Sequence, residues 1–270
     1  MSRVAHIAVV AVIGLVMAIP AGAQDDDQAA ELAKKLANPI ANLISVPLQY
    51  NYDRNYGPND DGRVHRLNIQ PVIPFALNDR WNLITRTIVP LIDQQDVPQG
   101  GVNKTGLGDI TASQFLSPKE PTEHGLIWGA GPVFLLPTAS DETLGGEKWG
   151  LGPTGVVLRQ KGAWTVGVLA NHIWSFAGDD DRDGINATFL QPFLSYITRT
   201  KTTFSIGTES TYDWKAEQWS VPVIAQVGQL FRIGPQILQL AAGVKYWADS
   251  PDNGPEGWGV RVQLTFLFPK

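Results

Sequence analysis

The feature that most constrains this chain is a segment of about ten residues in which apolar and polar side chains alternate, repeated along most of its length and punctuated by stretches rich in Gly, Asp, Asn and Pro. Alternation with a period of two marks a strand with two unlike faces. The last copy is the cleanest: Trp258, Val260, Val262, Leu264, Phe266 and Phe268 share one face, and Gly259, Arg261, Gln263 and Thr265 the other. In the same way Leu67, Ile69, Ile73 and Phe75 oppose Arg66, Asn68 and Gln70. Phe204, Ile206, Thr208 and Tyr212 oppose Ser205, Gly207, Glu209 and Asp213, and Leu238, Leu240, Ala242, Val244 and Tyr246 oppose Gln239, Gly243 and Lys245. The pattern predicts about twelve strands, with cores near 45–53, 63–75, 81–91, 108–117, 124–138, 149–160, 164–176, 186–199, 202–213, 219–231, 236–247 and 257–268.

The links between these strands are sorted by length. Residues 76–79, 160–163 and the turns near Lys201 and Gly234 are short. Residues 54–62, 94–106, 140–148, 178–184 and 249–256 are longer, acidic and Gly-rich. A soluble sandwich has no reason to sort its loops, whereas a bacterial outer-membrane barrel has an even strand count, tight turns at one end and long loops at the other. A segment of about ten residues also matches a tilted membrane-spanning strand. The expected fold class is therefore all-β: an antiparallel transmembrane β-barrel of about 12 strands with a short N-terminal helix.

Tryptophan placement is an independent witness. Trp81, Trp149, Trp164, Trp174, Trp214, Trp219, Trp247 and Trp258 fall at or near expected strand ends, with Trp128 slightly further in. Amphipathic rings prefer the headgroup level of a bilayer, which predicts two aromatic girdles. Tyr50, Tyr52, Tyr212 and Tyr246 join the outer girdle and Phe266 and Phe268 the inner one. The alternative is a set of loop-capping aromatics on a soluble β protein. Against the barrel stand Pro71, Pro74, Pro132, Pro137, Pro153, Pro192 and Pro222, all inside expected strands. Proline cannot donate to a ladder, and a closed barrel has no edge strand to accommodate it. Bulges, bends or displaced strand ends must absorb them.

The N-terminus reads as an address. Arg3, the apolar run of residues 7–19 and Ala21-Gly22-Ala23 form the charged region, core and cleavage site of a signal peptide covering residues 1–23. A retained anchor is the alternative. Residues 24–44 are expected to hold a short helix on the spacing of Ala29, Leu32, Leu36 and Ile40, broken near Asn38-Pro39. Residues 45–270 then form the barrel. Composition sets outer limits. Hydrophobic residues at 43% exclude disorder, and 17% charged residues is low for a soluble domain, where about 25% is usual. The absence of Cys excludes disulfides, thiolate metal sites and a cysteine nucleophile. A net charge of −5 gives no nucleic-acid footprint.

Longer motifs carry a family resemblance. The runs 38–47 (NPIANLISVP), 67–75 (LNIQPVIPF), 81–90 (WNLITRTIVP), 106–110 (GLGDI), 134–138 (FLLPT) and 266–270 (FLFPK) resemble a family of bacterial outer-membrane proteins. That family is described as transporter-like, or as linked to the meta-pathway of phenol degradation, and some members carry the name neuromedin U. The resemblance spans nearly the whole chain after the leader. It implies a barrel passing aromatic or other small hydrophobic compounds, and it brings no catalytic motif. Outer-membrane barrels commonly end in an aromatic residue, whereas here Pro269 and Lys270 follow Phe268. The implied partners are outer-membrane lipid and lipopolysaccharide, the barrel-assembly machinery and a small-molecule solute.

The candidate lumen lining is the polar face: Arg66, Asn68, Gln70, Arg86, Glu209, Gln239, Lys245, Arg261 and Gln263, with Arg159, Gln191 and Gln226 beside them. Charges of both signs inside a barrel either pair and fill it or line a path for solute. A bore of about twelve strands lies between a packed eight-stranded barrel and an open sixteen-stranded porin, so a narrow or gated pore is expected. The N-terminal helix is either a plug at the short-turn mouth or a segment without a role. Asp179, Asp181, Asp183 and Gly184 form the first half of an EF-hand calcium loop, but Leu190 stands where the bidentate acid is needed, so this is only a weak cation candidate. Gly150, Gly152 and Gly155 match G-x-G-x-x-G without a following helix and read as a strand with small inward residues. His65, His124 and His172 lack metal-ligand spacing. The expected function is a channel or transporter with no cofactor and no catalytic site. The alternatives are a structural or surface-interaction barrel and an outer-membrane lipid hydrolase using His172, a Ser and an acid such as Glu209.

Overall fold

The computed structural model describes residues 26–97 and 102–269, and the expected leader lies outside them. One helix, α1 (Asp26–Leu36), precedes fifteen hydrogen-bonded segments. They are β1 (Ile44–Tyr56), β2 (Gly62–Ile69), β3 (Val72–Ala76), β4 (Trp81–Val97), β5 (Val102–Leu107), β6 (Ile110–Pro118), β7 (Leu126–Leu136) and β8 (Lys148–Lys161). The rest are β9 (Trp164–Gly178), β10 (Asn186–Ile197), β11 (Thr202–Thr208), β12 (Ser210–Asp213), β13 (Gln218–Ile233), β14 (Gln236–Asp249) and β15 (Gly257–Phe268). Segments β2 with β3, β5 with β6, and β11 with β12 are single staves broken midway, which leaves a barrel of twelve. Neighbours in sequence pair antiparallel around the sheet. The first and last strands shut it, in unbroken register from Ile44 opposite Phe268 to Tyr52 opposite Val260.

The short turns are built for tightness. Gly162 and Gly234 adopt φ of 60° and 56°, which lets the flanking strands reverse with almost no connecting chain. Length sorting is real but not strict. Residues 119–125 form a longer link at the short-turn end, residues 214–217 a short one at the other, and β4 and β5 run on as a hairpin into the link expected at 94–106.

The exterior is apolar and exposed: Leu151, Val157, Val166, Phe176, Ile206 and Val223 all face out. Lipid is the solvent that such a continuous belt matches, and closure is what leaves it without an open sheet edge. Both aromatic levels appear on one strand. Trp164 and Trp174 lie ten residues apart on β9, on one face and 51% and 50% exposed. At about 3.3 Å per residue and about 40° of tilt that is about 25 Å along the membrane normal, the height of a spanned apolar band. Trp81 against Trp128 and Trp164 against Tyr196 pack at the short-turn end. Trp214 and Trp219 against Tyr212, Tyr246 against Trp258, and Trp174 against His172 pack at the long-loop end, where Trp149 also stands exposed. Trp247 departs from the expected girdle. It sits on the inward face of β14, and its indole Nε1 donates to Asp53 Oδ1 at 2.9 Å. Position near a strand end does not determine face, and here a buried carboxylate holds the ring inside.

The in-strand prolines gather where the ladder is already interrupted. Pro132 stands opposite Pro153 across β7 and β8, so two missing donors share one gap. The β8–β9 register resumes on either side of Gly152 and Pro153, at Leu151 opposite Trp174 and Thr154 opposite Asn171. Pro71 falls in the break between β2 and β3. The break between β11 and β12 falls at Glu209. There the registers Thr208 opposite Val223 and Thr211 opposite Ser220 bring Pro222 across from the gap.

Inside, two apolar clusters hold the N-terminal segment in the short-turn mouth. Ala29, Leu32, Ala33 and Leu36 lie on one face of α1 at three- and four-residue spacing. That face, with Ala41 and Leu43, packs on the inward residues Ile197, Leu230, Ile237 and Leu267. The helix stops at Leu36, and Asn38 Oδ1 accepts from Ile40 N–H at 3.0 Å to turn the chain before Pro39 acts as a stop. Ile40 then reaches across the bore to Ile84, Phe115, Val156, Leu158 and Leu169 on β4, β6, β8 and β9. Each such buried side chain stabilises the packing by about 1.5–3 kcal/mol.

Candidate functional site

The polar face of the strands makes the site. All nine lumen candidates named from the alternation sit on inward positions. Arg66 falls opposite Asn51 and Ile92 and stays exposed to the bore, Gln70 is buried, and Gln239, Lys245 and Arg261 are 8%, 4% and 4% exposed. Sequence reading missed three members of the same set on β1: Gln49, Asn51 and Asp53, which alternate with Leu48, Tyr50 and Tyr52 and carry the same signal. Arg159 lies on the outward face of β8 among exposed positions, so it does not line the bore.

These groups form a connected layer across the barrel. Arg261 grips Glu209 with two parallel hydrogen bonds of 2.7 Å, and its Nε donates to Asn51 Oδ1 at 2.7 Å. A bidentate guanidinium–carboxylate pair fixes geometry as well as charge. Lys245 Nζ donates to Asp53 Oδ2 at 2.7 Å, with both side chains 6% exposed, and the Trp247 ring lies 5.3 Å from that ammonium. A relay of amides extends instead from Asn51, whose Nδ2 donates to Gln49 Oε1 at 3.3 Å. Arg86 Nη2 donates to Gln70 Oε1 at 2.9 Å, Gln70 Nε2 to Gln49 Oε1 at 3.2 Å, and Gln49 Nε2 to Gln263 Oε1 at 3.0 Å. Inside a protein each bond of such a relay polarises the next, while Asn68 Oδ1 beside it has no partner among the described residues.

Between this layer and the N-terminal segment lies a cavity of about 270 Å³. Its walls include Arg86, Glu209 and Arg261 from the layer, Leu36 and Leu43 from the N-terminal segment, and Phe193 from β10. Gln226 Oε1, Ser195 Oγ and Thr203 Oγ1 are buried beside it without a hydrogen-bond partner among the described residues. Gln191 and Gln239 line it too.

At the opposite end, residues 137–147 fold inward. Leu144 packs on the inward Val64 and Ile92. Asp109 accepts from Ala139 N–H at 3.1 Å and Gly146 N–H at 2.7 Å. Arg182 donates to the Glu142 and Gly145 carbonyls at 2.9 and 2.8 Å, and Lys104 pairs with Asp141 at 2.6 Å. Two carbonyls therefore occupy the cation inside the expected calcium half-loop. Asp179, Asp181 and Asp183 are exposed and do not converge. Asp179 Oδ1 instead accepts from Asp181 N–H at 2.8 Å, and among the described residues no group of three acidic or His ligands forms. The glycine run lies in β8 with Gly150 and Gly152 inward and no helix after it. Geometry separates His172 from Glu209, the acid named for the hydrolase alternative. His172 points out toward lipid, its Nδ1 2.7 Å from Thr188 Oγ1, while Glu209 lies inside the bore on Arg261. Opposite faces of a sheet cannot form one triad.

The closed wall, the lipid-matched belt and the charged interior together place the chain among the β-barrel proteins of the bacterial outer membrane. No family model and no curated protein matches the sequence. Among solved structures, the fold is similar to an outer membrane channel from Pseudomonas putida F1, at a TM-score of 0.65 and 16% identity over 84% of this chain and 96% of that one. A weaker likeness, at a TM-score of 0.48 and 9% identity over 84% of this chain and 99% of that one, is to the β domain of the Bordetella autotransporter BrkA.

Proposed function

We propose that this barrel is a plugged outer-membrane channel for small solutes, and that its N-terminal segment is the gate. The observation that carries the reading is the cavity of about 270 Å³ between the plug and the Arg261–Glu209 layer. A barrel that served only as a wall or a loop platform would have no use for a walled chamber of that size in its bore. Ligand sites for drug-sized molecules run to about 300–1,000 Å³, so this chamber suits something smaller, such as a single ring or a short chain. The sequence resemblance favours aromatic or hydrophobic compounds, and the apolar plug wall is compatible with them. The similar fold of the Pseudomonas putida channel supports the channel reading as an analogy of architecture.

The test replaces the plug's buried face. Ala33 is 1% exposed and Leu32 4% exposed in the mouth, so Leu32→Glu with Ala33→Glu forces two charges into an apolar seat and expels the helix. Planar-bilayer conductance is expected to rise severalfold over the parent while the heat-modifiable gel mobility of a folded barrel is kept. A folded double variant that conducts no more than the parent rules out the N-terminal segment as gate.

A further inference from the structure

Among the described residues, the charged layer places at the cavity a cation, Arg86, that no direct ion pair holds. Arg261 is spent on Glu209 and Lys245 on Asp53. Arg86 makes a single hydrogen bond, from Nη2 to the neutral Gln70 Oε1, and among the described residues no carboxylate lies within ion-pair distance of it. Its guanidinium carries five N–H donors and borders the cavity. Glu209, already gripped by Arg261, attracts Arg86 only at a distance, so most of the Arg86 donors stay open to a ligand carboxylate. The balance at the cavity agrees: of the layer's charges, Arg86 and Arg261 face the single carboxylate of Glu209 there, an excess of one positive charge.

We propose that the cavity is a binding site for a small monocarboxylate, with its carboxylate on Arg86 and its apolar body against Phe193 and the plug. Planar bidentate pairing of guanidinium with carboxylate is the strong form of this contact. Around it Thr203 Oγ1, Ser195 Oγ and the Gln226 amide, which have unfilled hydrogen-bonding capacity, ring the cavity and supply secondary contacts. Val72, Pro47, Leu36 and Leu43 supply the apolar part of the wall. The inference deepens the channel reading and rests on it for the ligand's route, but not for its binding.

Calorimetric titration of the detergent-solubilised full chain with benzoate, and with the neutral isostere benzamide, tests it. Benzoate is expected to bind at least tenfold more tightly than benzamide. Arg86→Gln, folded by heat-modifiable mobility, should lose at least tenfold of the benzoate affinity and little of any benzamide binding, and Arg86→Lys should fall between. Equal affinity for the two probes, or full benzoate affinity in folded Arg86→Gln, overturns the site. Should Arg86→Gln not fold, the benzoate–benzamide comparison on the unaltered chain decides by itself. Bilayer conductance separates the two readings. A barrel that binds benzoate yet never conducts keeps the site and removes the channel, and one that conducts without preferring benzoate does the reverse.

Discussion

At the scale of single residues, the barrel depends on a few side chains that leave no freedom. Lys245 and Asp53 are each 6% exposed and hold one another across the bore. Removing one partner of such a pair leaves a buried, uncompensated charge, whereas replacing both with apolar groups of similar volume is often neutral. Lys245→Met is therefore expected to destabilise the barrel by about 3–5 kcal/mol, and Lys245→Met with Asp53→Leu to recover most of it, read as urea midpoints in lipid vesicles. Gly152 is constrained from the other side: a Cβ there would collide with the His172 carbonyl oxygen. Gly152→Ala must push β8 and β9 apart beside Pro153, and loss of heat-modifiable mobility is the expected result. Alternation alone pointed the polar residues of β2, β14 and β15 inward. It misled at Trp247, where an aromatic near a strand end belongs to the charged layer, because a period of two reports the face only if the parity is followed through the strand.

At the scale of elements, α1 packs inside the short-turn mouth and the segment 137–147 folds inward at the other end. The helix was legible from Ala29, Leu32 and Leu36, and its end from Asn38-Pro39. Its seat was not, because the inward apolar residues Ile84, Phe115 and Leu158 read as ordinary strand residues until the helix covers them. Nor does a loop's composition say that Leu144 turns inward. That loop is tied by the Lys104–Asp141 contact, where hydrogen bonds from Lys104 and Thr143 lower the Asp141 carboxyl from 3.8 to about 2. A carboxyl lowered on folding contributes stability above its unfolded value, and that contribution is lost as pH falls through the folded one. Limited proteolysis of residues 137–147 should accordingly be constant between about pH 5 and 8 and increase below about pH 3. Breaks within strands were foreseen from Pro71, Pro192 and Pro222. Their placement beside one another across neighbouring strands is a property of register, which a linear pattern does not carry.

At the scale of the whole molecule, the lipid-facing cylinder was the most legible feature, since every stave repeats the same alternation and its ends carry indoles. Fluorescence quenching by lipids brominated near the headgroups checks it. Trp174→Phe, which removes a ring 50% exposed on the outer face, should lower the quenchable fraction, and Trp247→Phe should leave it unchanged. Closure itself has a further consequence. Leu267, on the final strand, is both part of the seam with β1 and part of the seat on which Leu32, Ala33 and Leu43 rest. The N-terminal helix therefore has no complete seat until the C-terminal stave has arrived, so the step that shuts the wall also finishes the surface on which the helix docks.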